Sequence, residues 1–413
     1  MVKLSSMKNF DRRKFIKTTS LSAAFASSTN LFSNEQRPTD QKYMGDFAAP
    51  KLDKIKIAFI GVGYRGLGHI KRFGSFPNTQ IVAISDLHES NISKSLSTID
   101  NLKTSKSHIN PKTYYGNKDK WRLMLKQTDA DIVVISTDWN THGIMAIETM
   151  KNNKHAFVEV PLANTIKELW EIVNTSEKFQ KHCMMMENVN YGREELMFLN
   201  ICRKGLLGEL YHGEAAYIHD LRWQMYEEEI GTGSWRTLQY EKRKGNLYPT
   251  HGLGPVSQYM NLLRTEDTFK TLISFSSPAL GREKFARENF KENHKWNKLN
   301  YQNGDINTTV IKTYLGRTIM VQWDETSPRP YTRLNLIQGT KGILAGGPTR
   351  AAFDNGFEGY TKDAEEWIIG EGIDALYEKY DHPMYKRLHK ITQDSGHGGM
   401  DGMMVYRIIE CLR

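Results

Sequence analysis

From Lys56 onward, short apolar runs rich in β-branched residues alternate with stretches whose apolar positions recur every three or four residues. This is the pattern of strands joined by helical crossovers. "KIAFIGVG", "QIVAISD", "DADIVVIST", "HAFVEVP" and "HCMMMENV" read as strands, with "THGIMAIETMKNNK" and "IKELWEIVNTSEKFQ" as helices between them. Alternation of this kind builds a parallel sheet with helices on its faces. After Tyr191 the texture changes. "EELMFLNICRKGLLG" reads as a helix and "LYHGEAAYIHDLR" as a strand, and then "TFKTLISFSS", "NTTVIKTYLG", "TIMVQWDE" and "RLNLIQGTKGILAGG" follow without long helices between them. That spacing predicts antiparallel pairing. The expected class is α/β over 54–191, followed by an α+β domain with a mostly antiparallel open sheet over 192–413.

A chain of 413 residues suits two domains, each able to bury its own core. The net charge of +9 does not change that picture, because six basic residues against Asp11 supply +5 of it before residue 18. What remains is an ordinary solvated surface, and no basic helix interleaved with aromatics points to nucleic acid. Cys183, Cys202 and Cys411 match neither a disulfide framework nor a zinc pattern and read as packing residues. The basic start has its own meaning. "DRRKFIKTTSLSAAFASS" sets Arg12 and Arg13 before a mildly apolar stretch, which reads as a twin-arginine export signal over 1–30, with a disordered basic tail as the alternative. Export would make the protein periplasmic or cell-surface associated. A polar linker is expected over 31–53, and no apolar run is long enough for a transmembrane segment.

The first motif lies in "IAFIGVGYRGLGHI", where Gly61, Gly63 and Gly66 follow a strand and open a helix in G-x-G-x-x-G spacing. Glycine there permits a tight turn and lets backbone N–H groups approach a pyrophosphate at the positive end of a helix. Asp86, 20 residues after Gly66 at the end of the next strand, can accept hydrogen bonds from a ribose diol and would repel a 2′-phosphate. The pair predicts a Rossmann dinucleotide-binding domain taking NAD. "STDWNTHGIMA" follows another strand at the ligand-binding edge, with Asn140 or Thr141 placed to cap the helix, contact the cofactor, or both. "HAFVEVP" raises a question: Glu159 ends an apparently buried strand, and its neighbour Val160 can move no proton. "HCMMMENV" reads as core rather than a copper site. His397 and Asp401 in "DSGHGGMDGMM" read as turn and cap, so no metal is assigned.

The glycine fingerprint, the strand ending Glu-x-Pro and the following sheet domain resemble the Gfo/Idh/MocA oxidoreductases. Where that family commonly has Glu-Lys-Pro, this chain has Glu159-Val160-Pro161. Where the family shows an Asp and then a His, this chain has Thr250 and Gly254, with His251 and Tyr248 nearby. The combination of "EVP", "ENxxY" at Glu187–Tyr191, "YPTHGLGP" at Tyr248–Pro255 and "GHGGMD" at Gly396–Asp401 resembles glycoside hydrolase family 109, NAD-dependent α-N-acetylgalactosaminidases. Family members continue beyond the "YRIIECLR" with which this chain stops, so the second domain is expected to lack the family's C-terminal tail.

Carried over by matching motif, the resemblance implies cofactor contacts at Tyr64, Arg65, Asp86, Trp139, Asn140, Thr141, His142, Glu159, Val160 and Asn188. It implies substrate contacts at Tyr217, Arg236, Tyr248, Pro249, Thr250, His251 and Tyr331. The substrate is then a glycan or glycoside ending in α-linked N-acetylgalactosamine, and a homo-oligomer is left open. Most glycosidases flank the scissile bond with two carboxylates, whereas the set here is tyrosines and a histidine. A redox route accounts for it: C3 of the sugar is oxidised by NAD+, the C2 proton becomes acidic, the C1 substituent leaves, water adds and the hydride returns. His251 and Tyr248 are the first candidates to move the protons, the imidazole titrating near about 6.5 and the phenol near about 10 when unperturbed, with Tyr191 as a partner. The alternatives are a sugar or cyclitol dehydrogenase with net NAD turnover, or a family member that binds without turnover.

Overall fold

The structure, a computed structural model, describes residues 41–413 except 46, 109, 264 and 265. The expected export signal and the first ten residues of the expected linker therefore lie outside the described residues. The first sheet is wholly parallel, in the order β3-β2-β1-β4-β5-β6. Its strands are β1 (Ile55–Ile60), β2 (Thr79–Ser85), β3 (Lys112–Tyr114), β4 (Ile132–Ile135), β5 (His155–Val158) and β6 (Cys183–Met185). The central strands are buried on both faces, which is why they read as continuous apolar runs. The methionine run behaves as core: Met184 and Met186 pack into one cluster on this sheet and Met185 into another.

The second sheet has seven strands in the order β13-β12-β11-β7-β10-β9-β8. They are β7 (Leu210–Ile218), β8 (Phe269–Ser276), β9 (Ile306–Thr313), β10 (Thr318–Asp324), β11 (Leu336–Gly339), β12 (Gly342–Ala345) and β13 (Arg350–Phe353). All pairs are antiparallel except β7 with β10, which run parallel at the centre. Side chains alternate along a strand, so Ala215 and Tyr217 of β7 share a face, as do Ile319, Val321 and Trp323 of β10. Ala215, Ile319 and Val321 lie under the helices Arg193–Arg203 and Thr250–Tyr259. Tyr217 and Trp323, farther along the same strands, join an aromatic cluster that also takes Trp139 and Val160 from the first domain. The two domains meet there.

Two segments depart from the expected division. Helix Met400–Leu412, assigned by sequence order to the second domain, inserts Met404, Val405, Ile408, Ile409 and Leu412 among Ile55, Phe59 and Ile70 of the first. Part of the expected linker is also docked: Leu52 donates its N–H to the Leu412 carbonyl at 2.9 Å, and Phe47 lies 5.0 Å from the ring of His182. The apolar residues Ala49 and Leu52 give this stretch a surface to bury, which the polar composition around it hides. Among the described residues no helix is long and apolar enough to cross a membrane.

Candidate active site

Three glycines after β1 do three different jobs. Gly61 has φ +79°, a left-handed conformation that favours glycine, and a Cβ there would stand 2.6 Å from the Ser136 carbonyl oxygen. A Cβ on Gly66 would collide with the carbonyl of Gly61, so this residue lets the helix Tyr64–Gly74 close onto the strand. Beside Gly63 there is only the Asn91 amide nitrogen, 3.8 Å from the would-be Cβ. That open approach, at a helix start with no side-chain cap, is where a pyrophosphate fits. Asp86 accepts from Val62 N–H at 2.8 Å, His88 N–H at 2.9 Å and Asn91 Nδ2 at 3.1 Å. It stays part-exposed, and a carboxylate has a further lone pair for a ribose hydroxyl. These residues fit a dinucleotide.

In the turn after β4 the helix cap is Asp138, whose carboxylate accepts from Asn140 N–H at 2.9 Å, and not Asn140 or Thr141. Thr141 bonds Thr137 at 2.7 Å, and Asn140 accepts from Asn164 at 3.2 Å. His142 is buried with its ring nitrogens against the carbonyls of Pro161 and Thr137, and burial pulls its pKa down. Trp139 instead faces the second domain, 5.1 Å from Trp235 and 5.8 Å from Tyr248.

Glu159 answers its own puzzle by being a partner. It is 8% exposed and accepts from Arg65 Nη2 at 2.8 Å and Nε at 3.1 Å, with His69 on the same oxygen. Burial works to raise its pKa, but the Arg65 charge and His69 outweigh it and hold the carboxyl at about 2. Arg65 also reaches Asp401 at 3.0 Å, and Asp401 further meets Arg72 at 2.8 Å, Asn188 at 2.8 Å and His397 at 2.9 Å. Burial opposes its ionisation too, and His397, Arg65 and Arg72 override that, holding it well below the carboxylate range. Arg65 and Asn188 thus meet on the carboxylate of Asp401, with Glu159 joined to it through Arg65, while Tyr64 points outward at 91% exposure. His69 and Arg72 went unassigned in the sequence, and Asp401, read there as part of a turn and cap, makes no side-chain cap of its helix and pairs with Arg65 and Arg72 instead. The signal was there, since Arg65, His69 and Arg72 fall at i, i+4 and i+7 on one helix face.

In the second domain, a Cβ on Gly252 would collide with the Ala216 backbone, so helix Thr250–Tyr259 lies tight against β7 and sets His251 beside Tyr217. The His251 ring stands edge-on to Tyr217 at 5.0 Å and Tyr248 at 4.8 Å, and those two phenols are 4.8 Å apart. Tyr331 is 6.2 Å from Tyr217 and half exposed, its hydroxyl accepting from Arg333 at 2.9 Å. Arg236 lies over the Trp139 ring at 4.7 Å and the Tyr248 ring at 5.3 Å, with Glu325 at 3.5 Å. Pro249 precedes the helix, and the Thr250 hydroxyl is buried without a hydrogen-bond partner among the described residues. Burial pushes the Tyr217 and Tyr248 phenols far above their ordinary value, so both stay protonated hydrogen-bond donors near neutrality. Tyr248 is therefore a poor base.

Tyr191 does not join this group. It packs beside Leu196, Leu388 and Met403, under the C-terminal helix, and burial raises its phenol to about 12. Among the described residues no ring contact or hydrogen bond brings it to His251. Two further groups do belong at the site: Glu187, whose Oε1 meets His251 Nδ1 at 2.7 Å, and His219, 5.2 Å from Tyr331.

Residues 55–187 match the oxidoreductase family described by its NAD-binding Rossmann fold, and residues 191–413 match the glycosyl hydrolase 109 C-terminal domain. A glycosyl hydrolase family 109 protein of Akkermansia muciniphila is 54% identical over 373 residues, spanning 90% of this chain and 76% of its own length. Another, from Shewanella sp. strain W3-18-1, is 50% identical over 414 residues, 98% of this chain and 88% of its own. Among solved structures, levoglucosan dehydrogenase in complex with NADH and levoglucosan shares the fold with a TM-score of 0.57 at 16% identity, over 87% of this chain and 96% of that one. Scyllo-inositol dehydrogenase from Lactobacillus casei, with NAD(H) and scyllo-inositol bound, does so at 0.53 and 12% identity, over the same shares.

Proposed function

Because this chain belongs to glycosyl hydrolase family 109, as a glycoside hydrolase built on an NAD-binding domain, we propose that it removes terminal α-linked N-acetylgalactosamine by oxidation, elimination, addition of water and reduction. The observation that carries this reading is the company His251 keeps. It stands among phenols in the aromatic group shared with Trp139 and Val160 of the nucleotide domain. The carboxylate beside it, Glu187, is already engaged by His251, and Glu325, behind Arg236, by Arg236 and Tyr240. Direct displacement would need two carboxyl groups facing the scissile bond.

The glycine loop, Asp86 and the turn after β4 would hold NAD, which would supply reversible hydride chemistry at C3 of the sugar. His251 takes a proton from the sugar as the base. Tyr217 and Tyr248 donate hydrogen bonds to sugar oxygens, and the planar donors of Arg236 hold a ring hydroxyl or the acetamido carbonyl. Tyr331, half exposed beside Tyr217, would contact the sugar from the solvent side. Arg12 and Arg13 direct the folded, cofactor-loaded protein out of the cytoplasm.

The test is cleavage of a chromogenic α-N-acetylgalactosaminide in deuterated water. Released sugar carrying deuterium at C2, without accumulating NADH, is the expected result. Product with no C2 deuterium overturns the elimination route, and accumulating NADH makes the protein a dehydrogenase.

A further inference from the structure

We propose that Glu187 is a positioning residue that fixes the proton of His251 on Nδ1 and leaves Nε2 free as the base. The proposal deepens the functional reading above and rests on it for the role of His251. Glu187 stands just after β6, 3% exposed, on a turn that leads to Asn188. Its Oε1 meets His251 Nδ1 at 2.7 Å and also accepts the Val189 N–H at 3.1 Å. An ionised carboxylate offers only acceptors, so the ring must donate from Nδ1. In the neutral imidazole Nε2 then carries the lone pair.

The groups packed on the ring support the same assignment. Tyr217 and Tyr248 flank it edge-on and are uncharged, so Glu187 is the carboxylate that orients it and stabilises the imidazolium formed when Nε2 takes the substrate proton. Every other polar duty of Glu187 is minor. Oε2 is buried and takes no hydrogen bond among the described residues, and the Val189 contact merely caps a short turn. Gly254, where the wider family places a histidine, adds no competing side chain: a Cβ there would already stand 3.2 Å from the Glu187 side chain.

Glu187→Gln keeps the shape and removes the charge: Oε1 faces both the Val189 N–H and His251 Nδ1, so an amide oxygen there keeps both bonds but no longer stabilises the imidazolium. On the NAD-loaded full chain, kcat should fall about 100-fold, with KM, cofactor content and melting temperature little changed. Glu187→Asp should recover part of the loss. The double variant Glu187→Gln/His251→Ala should be no slower than His251→Ala alone, as expected for residues acting as one unit. Nitrogen-15 NMR of labelled histidine, assigned with His251→Ala, should show the Nδ1–H tautomer in the wild type and a loss of that preference in Glu187→Ala, which has no acceptor for Nδ1. The proposal is overturned by an Nε2–H tautomer in the wild type, by additive losses in the double variant, or by losses that merely follow cofactor content. The tautomer is read without turnover. A wild type that fails to incorporate deuterium therefore sinks the elimination route and leaves this result standing on its own.

Discussion

Asp401→Asn probes the joint between the C-terminal helix and the glycine loop. Every partner of Asp401 is a donor or cation: Oδ2 faces Arg65, Arg72 and His397, and Oδ1 faces Asn188 and Arg65. Whichever way the new amide turns, one oxygen becomes an NH2 group aimed at donors. Removing one partner from a buried ion pair costs about 3–5 kcal/mol. The lower end applies because Arg65 keeps Glu159, and Arg72 keeps the Ser395 carbonyl at 2.5 Å. A loss of about 3 kcal/mol lowers the melting midpoint by about 3 °C if the chain melts as one unit, and by about 10 °C if the first domain melts alone. Arg65 lies on the first turn of the helix that opens at Gly63, so a loosened Arg65 should also raise the NAD Kd about tenfold, or about 1.4 kcal/mol. Differential scanning calorimetry and isothermal titration with NAD+ measure both. A midpoint within about 1 °C of the wild type, together with unaltered affinity, would refute the reasoning.

The glycines should separate folding from binding: Gly66→Ala, which strikes the Gly61 carbonyl, should fail to fold stably, whereas Gly63→Ala should fold normally and bind NAD at least about tenfold more weakly. Circular dichroism melts and titration tell them apart. Glu159 has a depressed pKa in the folded protein, so its stabilisation is present above about pH 4.5 and lost as pH falls toward about 2. Melting midpoints of Glu159→Gln across that window should be lower overall and flatter than those of the wild type. Replacing Arg12 and Arg13 with lysine should hold the protein in the cytoplasm, as read by cell fractionation of the full chain.

β1, β4 and β5 were legible because burial on both faces writes them as nearly unbroken apolar runs, and β2 and β6 because short apolar runs survive partial burial. β3 was not, since only Tyr114 of its three residues is buried and no periodicity shows in so short a segment. The parallel pairing of β7 with β10 depends on which distant strands meet, which local pattern does not encode. The amphipathic face of Met400–Leu412 was visible, but not the core it enters. In the site, the glycine loop and Asp86 announce themselves by spacing. The gathering of His251, Tyr217 and Tyr248 came from motif resemblance, and folding shows why Gly252 matters to it. Glu187 stood inside a recognised motif without a role, because its partner is 64 positions away.

The helix that seals the nucleotide domain also sets a timetable for biosynthesis. Ile55, Phe59 and Ile70 leave the ribosome early, yet Met404, Ile408 and Leu412, which cover them, follow more than 300 residues later. From the end of the Rossmann segment alone, translation needs on the order of ten to forty seconds more at about 5–20 residues per second. Through that interval the apolar face stays bare, and the nucleotide domain can close its core only once the segment through Leu412 has emerged.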